Sequence, residues 1–243
     1  MENESTPDNL LLQYQIALFP NNFAVDSWYS LFNKIVTTWS KYNFSDKSNY
    51  NALPNNLPTN IFRLNLISSD EKFKIDISSE KMDLVWSRKI TDTHFKINQP
   101  TIMEDLNYVL DLVYKDITFK RVGFIVDTFI NKNLLEVPPT NKIINTLYTK
   151  NLERFESTFT YSFDINNYKC FYVLTTGEGE VYTDTSQALA RGYLLRGDIN
   201  TQPQINIKAD KKIFSTLIPE FISRNNEEIL KNYLLEATYG WEK

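Results

Sequence analysis

One histidine, His94, and one cysteine, Cys170, bound the chemistry open to this chain of 243 residues. A zinc site takes three or four Cys, His or carboxylate ligands, and no pair of His or Cys occurs at any spacing. Histidine is the commonest general acid or base, and a Ser or Cys nucleophile usually needs one as its partner. What is left is carboxylate, lysine or tyrosine chemistry, or none. The residue types therefore assign no catalytic residue, no cofactor and no metal ligand. His94, near Phe95 and Ile97 and without an evident carboxylate partner, reads as a surface or strand-edge residue. Cys170, in an apolar alternating stretch, reads as a small buried side chain.

Magnesium needs only one or two protein carboxylates, so Asp76 with Asp83, or Asp105 with Asp111, are candidates for a metal-dependent phosphodiester or nucleotide reaction. That reading requires at least two of them to converge in one pocket. Their spacing is not that of a nuclease motif, and solvated faces are made of such residues. Gly177-Glu178-Gly179-Glu180 lacks the Gly-Lys-Ser/Thr ending of a phosphate loop and presents carboxylates where phosphate would bind, so it reads as a hairpin loop. Arg196-Gly197-Asp198 is an adhesion tripeptide expected by chance. Lys120-Arg121 and the arginines at 191 and 196 are the local basic concentrations; adjacent on a sheet they would make a small anion site, while salt-paired strand ends are the plainer expectation. Glu227-Glu228 fits a helix start capped by Asn225.

The elements that position these residues follow from hydrophobic period. Leu12, Tyr14, Ile16 and Leu18 alternate with Gln13, Gln15 and Ala17, the period of a half-buried strand ended by Pro20. Asp26 is placed to cap a helix whose apolar positions run from Trp28 to Tyr42. Residues 43–60 read as a long loop. Short strands at 61–67, 73–77 and 82–86, joined by four-residue polar turns, predict an antiparallel meander. Thr101 and Glu104 have the spacing of a capping box opening an amphipathic helix. A strand at 122–129, a helix after Pro138-Pro139, a hairpin at 155–175, a strand near 192–198 and a helix over 210–239, bent or restarted at Pro219, complete the chain. Each half thus reads strand, helix, three strands, helix. The class is α+β: two tandem β-α-β-β-β-α units, residues 1–119 and 120–243, or one integrated domain, with antiparallel meanders and helices covering a sheet.

Phe62-Arg63-Leu64-Asn65-Leu66, the turn Ser69-Asp70-Glu71-Lys72, the hairpin through Leu84 to Trp86, the helix from Thr101 and then Phe119-Lys120-Arg121-Val122-Gly123-Phe124 carry a likeness. They resemble the strand, turn, hairpin, helix and strand of a sporadically distributed prokaryotic family of about this length, which has no established activity. The family's turn glycine is Glu71 here. The resemblance implies the same element order and, from the family's patchy occurrence, a bacterial defence or mobile-element setting.

A net charge of -4 and a pI near 5.2 give no global pull toward phosphate backbones or anionic lipid, so nucleic acid is a poor default partner. Residues 1–9 lack the basic start and apolar stretch of a secretory signal, and no apolar run approaches the roughly 20 residues that span a bilayer. The expectation is a cytoplasmic protein without a membrane partner. With 4 Trp, 14 Tyr and 16 Phe, the chain is rich in the side chains favoured at protein interfaces. The leading expectation is a non-enzymatic protein-binding or accessory protein, acting on a protein partner or as a homo-oligomer. Tyr50, Lys120, Arg121, Tyr239 and Trp241 are its candidate interaction residues. The segment 10–19 has no charge and no internal proline, so it must pair centrally between the halves or enter an intermolecular contact.

Overall fold

The alternating segment near the start of the chain is strand β1, Asn9–Pro20, in a computed structural model that describes residues 9–21, 23, 25–53, 58–89, 92, 95–113, 117–131, 156–182, 189–203 and 206–233. Helix α1, Trp28–Thr38, and a short 3-10 turn, Ser40–Tyr42, follow it. Next come β2 (Asn49–Tyr50), β3 (Leu64–Ile67), β4 (Phe73–Ile77), β5 (Met82–Ser87) and helix α2 (Gln99–Leu112). The chain continues through β6 (Thr118–Asn131), β7 (Glu156–Ile165), β8 (Tyr168–Tyr182), β9 (Leu189–Thr201), β10 (Ile207–Lys208) and helix α3 (Lys211–Tyr233). The class is α+β.

The ten strands among the described residues belong to one antiparallel sheet, ordered β2-β3-β4-β5-β1-β6-β9-β8-β7, with β10 also against β6. The uncharged β1 is central, with its full length paired to β6 and its second half to β5. That removes the edge that its composition leaves unprotected.

Strand geometry sends alternate side chains to opposite faces. One face is continuous apolar core: Ile16 lies beside Leu84 and Phe124, and Phe124 beside Ile199, all at 0% exposure. Ile102, Leu106 and Val109 of α2 and Phe214, Leu217 and Phe221 of α3 join the same cluster. Helix α3 carries Pro219 in its interior and runs on without a restart. Cys170 lies in this core, where burial pushes its thiol up to about 11.

Several local expectations are corrected. Ser27, not Asp26, caps α1, its Oγ accepting from the Ser30 amide at 3.2 Å. Asn98, not Thr101, caps α2: its side-chain oxygen accepts from the Thr101 amide at 3.0 Å, and Glu104 turns outward to Lys41 at 2.6 Å. The loop at 43–60 contributes the short strand β2. Gly177 to Glu180 is strand rather than hairpin loop, with Gly177 opposite Leu194 and Gly179 opposite Gly192. A side chain on Gly179 would collide with Leu194, and one on Gly192 with the ring of Phe129, so these glycines make room for neighbours lying over the backbone. Asn225 does not start a helix but sits fully buried inside α3, donating to the Gly197 carbonyl at 3.2 Å and accepting from the Tyr172 hydroxyl at 3.3 Å. The helix approaches so closely that a side chain at Gly197 would strike Asn225. The helix expected after Pro138 lies outside the described residues, as do His94, Tyr239 and Trp241. Among the described residues no helix is long and apolar enough to cross a membrane.

Candidate functional site

The second face of the central strands carries polar side chains beside a small apolar cluster of Leu10, Phe129 and Ala190. Gln13 of β1, Asp127 of β6, Arg196 of β9 and Thr175 of β8 occupy one cross-strand row. The Gln13 amide donates to Asp127 at 2.6 Å, and the Arg196 guanidinium stands 3.5 Å from the same oxygen. Burial raises the pKa of Asp127, against the opposing pull of Arg196 and Gln13. A register shift between Leu11 and Gln13 interrupts the β1–β6 ladder beside this row, and such bulges re-aim side chains at the margins of sites.

Above the row lies a cleft of about 530 Å³. Leu12 and Leu194 supply its apolar walls, while Glu156 and Glu178 add carboxylates. Leu194 is 37% exposed, unusual for leucine within a strand flanked on both sides. A guanidinium, an amide, carboxylates and two aliphatic walls within one concavity can hold a polar chain with apolar side groups, the mixture by which small sites fix orientation.

A second polar group lies toward β4. Asp76 and Asp83 face each other across β4 and β5. The Asn65 amide donates to Asp76 at 2.5 Å and the Gln15 amide to Asp83 at 2.6 Å, while Lys74 and Lys81 pair with the two carboxylates at 2.7 and 2.8 Å. Burial raises the pKa of Asp83. Asp198, which accepts from the Asn200 amide at 2.5 Å, is raised by burial as well. Arg121 stacks 3.7 Å over the Phe19 ring, and its burial lowers its pKa although Asp198 and Asp83 favour the charge.

The four sequence candidates for carboxylate chemistry thus separate. Asp76 and Asp83 come together. Asp105 is fully buried on α2, accepting from the Tyr42 hydroxyl and from Lys41 at 3.0 Å, and burial raises its pKa. Asp111 is paired at the surface with Lys211 at 2.6 Å. Among the described residues no group of three or more His, Cys, Asp or Glu side chains is arranged to hold a metal ion.

The interaction candidates separate too. Tyr50 packs against the exposed Tyr29, ring centroids 5.9 Å apart, at the β2 end of the sheet. Lys120 sits at the second register shift of β6, half-buried, and Arg121 faces the polar side. The two basic concentrations do not merge: Arg196 pairs with Asp127 and Arg191 with Glu180 at 2.9 Å, the salt-paired arrangement. Sequence reasoning missed Gln13 and Asp127 as site residues and had Arg196 only as part of a basic concentration. The available signal was charge inside strands, Asp127 within an apolar run and Arg196 within the tripeptide. Compared with models of known protein families and with curated proteins, the chain matches none.

Proposed function

We propose that this chain is a non-enzymatic binding or accessory protein that takes a protein partner on the polar face of its sheet, in a bacterial defence or mobile-element setting. The observation that carries the reading is the cleft over Gln13, Asp127 and Arg196, where an exposed Leu194 stands beside a half-buried ion pair. A contiguous segment of another protein meets such a surface by burying the leucine and pairing with the charged groups. The setting follows from the family resemblance.

The same reading takes the scaffold as two tandem β-α-β-β-β-α units, residues 1–119 and 120–243, with helices covering the sheet. Its support is the strand order: outward from the β1–β6 pair, one side runs β5, β4, β3 and the other β9, β8, β7. The expected location is the cytoplasm.

The test is affinity capture from the source cells with the parent and with a Leu194→Asp, Arg196→Glu variant, followed by reconstitution of any captured protein in purified form. A partner retained by the parent and lost by the variant, at unchanged thermal stability, supports the cleft. Equal capture by both removes it. The competing carboxylate reading draws on the Asp76–Asp83 pair. Saturable Mg²⁺ binding in calorimetry, abolished by Asp83→Asn, would favour it over the binding reading.

A further inference from the structure

Strand β7, Glu156–Ile165, ends the sheet, and among the described residues it pairs on one side only, with β8. Proteins blunt such edges with lysine, proline or a bulge. None is present here: the sequence is ESTFTYSFDI, and its register with β8 is unbroken from Glu156 opposite Gly177 to Ile165 opposite Tyr168. Tyr161 at mid-strand is 38% exposed, between Phe159 and Phe163 on the same face.

The hairpin geometry fixes which backbone groups face outward. Ile165 and Tyr168 close a two-residue Asn166-Asn167 turn whose first residue has a φ of 52°, and the closing pair of such a hairpin exchanges hydrogen bonds. Alternation along the ladder then directs the odd-numbered residues of β7 to β8, and the amides and carbonyls of Thr158, Thr160, Ser162 and Asp164 to the outside.

We propose that this edge is a homodimer seam, in which β7 pairs antiparallel with β7 of a second copy about a two-fold axis through Tyr161. In that register Thr160 meets Ser162 of the partner subunit and Thr158 meets Asp164 of the partner subunit, so the outward-facing groups find each other. Phe159 lies against Phe163 of the partner subunit on the core-face side. Centring on Thr160 instead sets Glu156 against Asp164 of the partner subunit, a like-charge opposition that disfavours it. Centring on Ser162 runs the pairing into the Asn166-Asn167 turn. The contact is isologous, closes on itself and continues the sheet from one copy into the other with both cores on the same side. It is independent of the cleft, so either proposal can fail while the other stands.

Tyr161 is a non-hydrogen-bonded pair with its own copy in this register, with Cα atoms about 4.5 Å apart, close enough for a disulfide. The full-length chain with Cys170→Ala and Tyr161→Cys is oxidised mildly and run without reductant, beside Cys170→Ala with Thr158→Cys. The first should cross-link almost completely and the second should not, because the two copies of residue 158 lie far apart along the seam. Light scattering of the parent should give twice the 28.5 kDa chain mass, and Thr160→Pro, which removes an outward amide, should halve it. A monomeric parent overturns the proposal. So does a dimer in which Tyr161→Cys fails to cross-link, or in which Thr158→Cys cross-links equally well. Should Thr160→Pro unfold the chain, the two cysteine variants still decide the question.

Discussion

On its core face the sheet buries Ile16, Ile75, Phe124 and Ile199 completely, apolar against apolar. On the opposite face the same strands or their neighbours bury Gln15, Asp76 and Asp83 to 8%, 6% and 4% exposure, each held by a lateral polar partner. The first kind of burial stabilises by removing hydrocarbon from water. The second confines charge: Asp83, Asp127 and Asp198 are all raised by burial first. The comparison teaches that the sheet separates a stabilising layer from a layer whose carboxylates work against stability at neutral pH.

The comparison is most directly broken on the core face. Phe124→Ala, at the junction of β1, β6 and β9, should destabilise by about 3–5 kcal/mol in denaturant unfolding, the range for truncating a buried phenylalanine. A loss under about 1 kcal/mol would show that the core is not packed there. Next in size is Asn225→Ala, which removes the side-chain hydrogen bonds of α3 to Gly197 and Tyr172 in the core; about 1–3 kcal/mol is expected. If Asn225→Ala matched the parent, these bonds would not fasten α3 to the sheet.

The pH dependence sharpens the contrast further. A raised folded-state pKa means that the native chain binds protons where an unfolded aspartate, at 3.8, does not, so stability falls as pH rises through the raised values. Asp105 acts with the same sign. Glu71, lowered to about 2 by Lys47 and Lys89, acts oppositely, its contribution lost as pH falls below 4.5. The melting temperature should therefore climb on acidification from pH 7 toward that value and then turn over, with a shallower climb in Asp83→Asn. A melting temperature that only falls on acidification would contradict the burial of these carboxylates. The smallest effect belongs to Glu71→Gly. Glu71 has a φ of 56°, which favours glycine, and its ion pairs are exposed, so the substitution should raise the unfolding midpoint slightly. A clear drop would show that Lys47 and Lys89 contribute more than the backbone relief.

Much of the scaffold was legible because period alone reports a half-buried strand: the alternation around Tyr14, Ile16 and Leu18 and along 156–165 announces β1 and β7 directly. The lack of charge in β1 left two placements, central or intermolecular, and the strand order takes the first. Helix starts were less legible because Ser27, Asn98 and their neighbours offer competing caps that only backbone geometry resolves. Gly177 and Gly179 read as a turn because the strand pairing of both, and the room that Gly179 yields to Leu194, depend on a partner strand distant in sequence. The cleft was invisible for the same reason. Gln13, Asp127, Arg196 and Thr175 become a row only through the registers of three strand pairs.

The most direct test of the account is paired capture with the parent and the Leu194→Asp, Arg196→Glu variant, with both melting temperatures measured alongside. The account predicts that the variant stays folded and loses the partner. Retention of the partner by a fully folded variant would contradict the assignment of this face to binding.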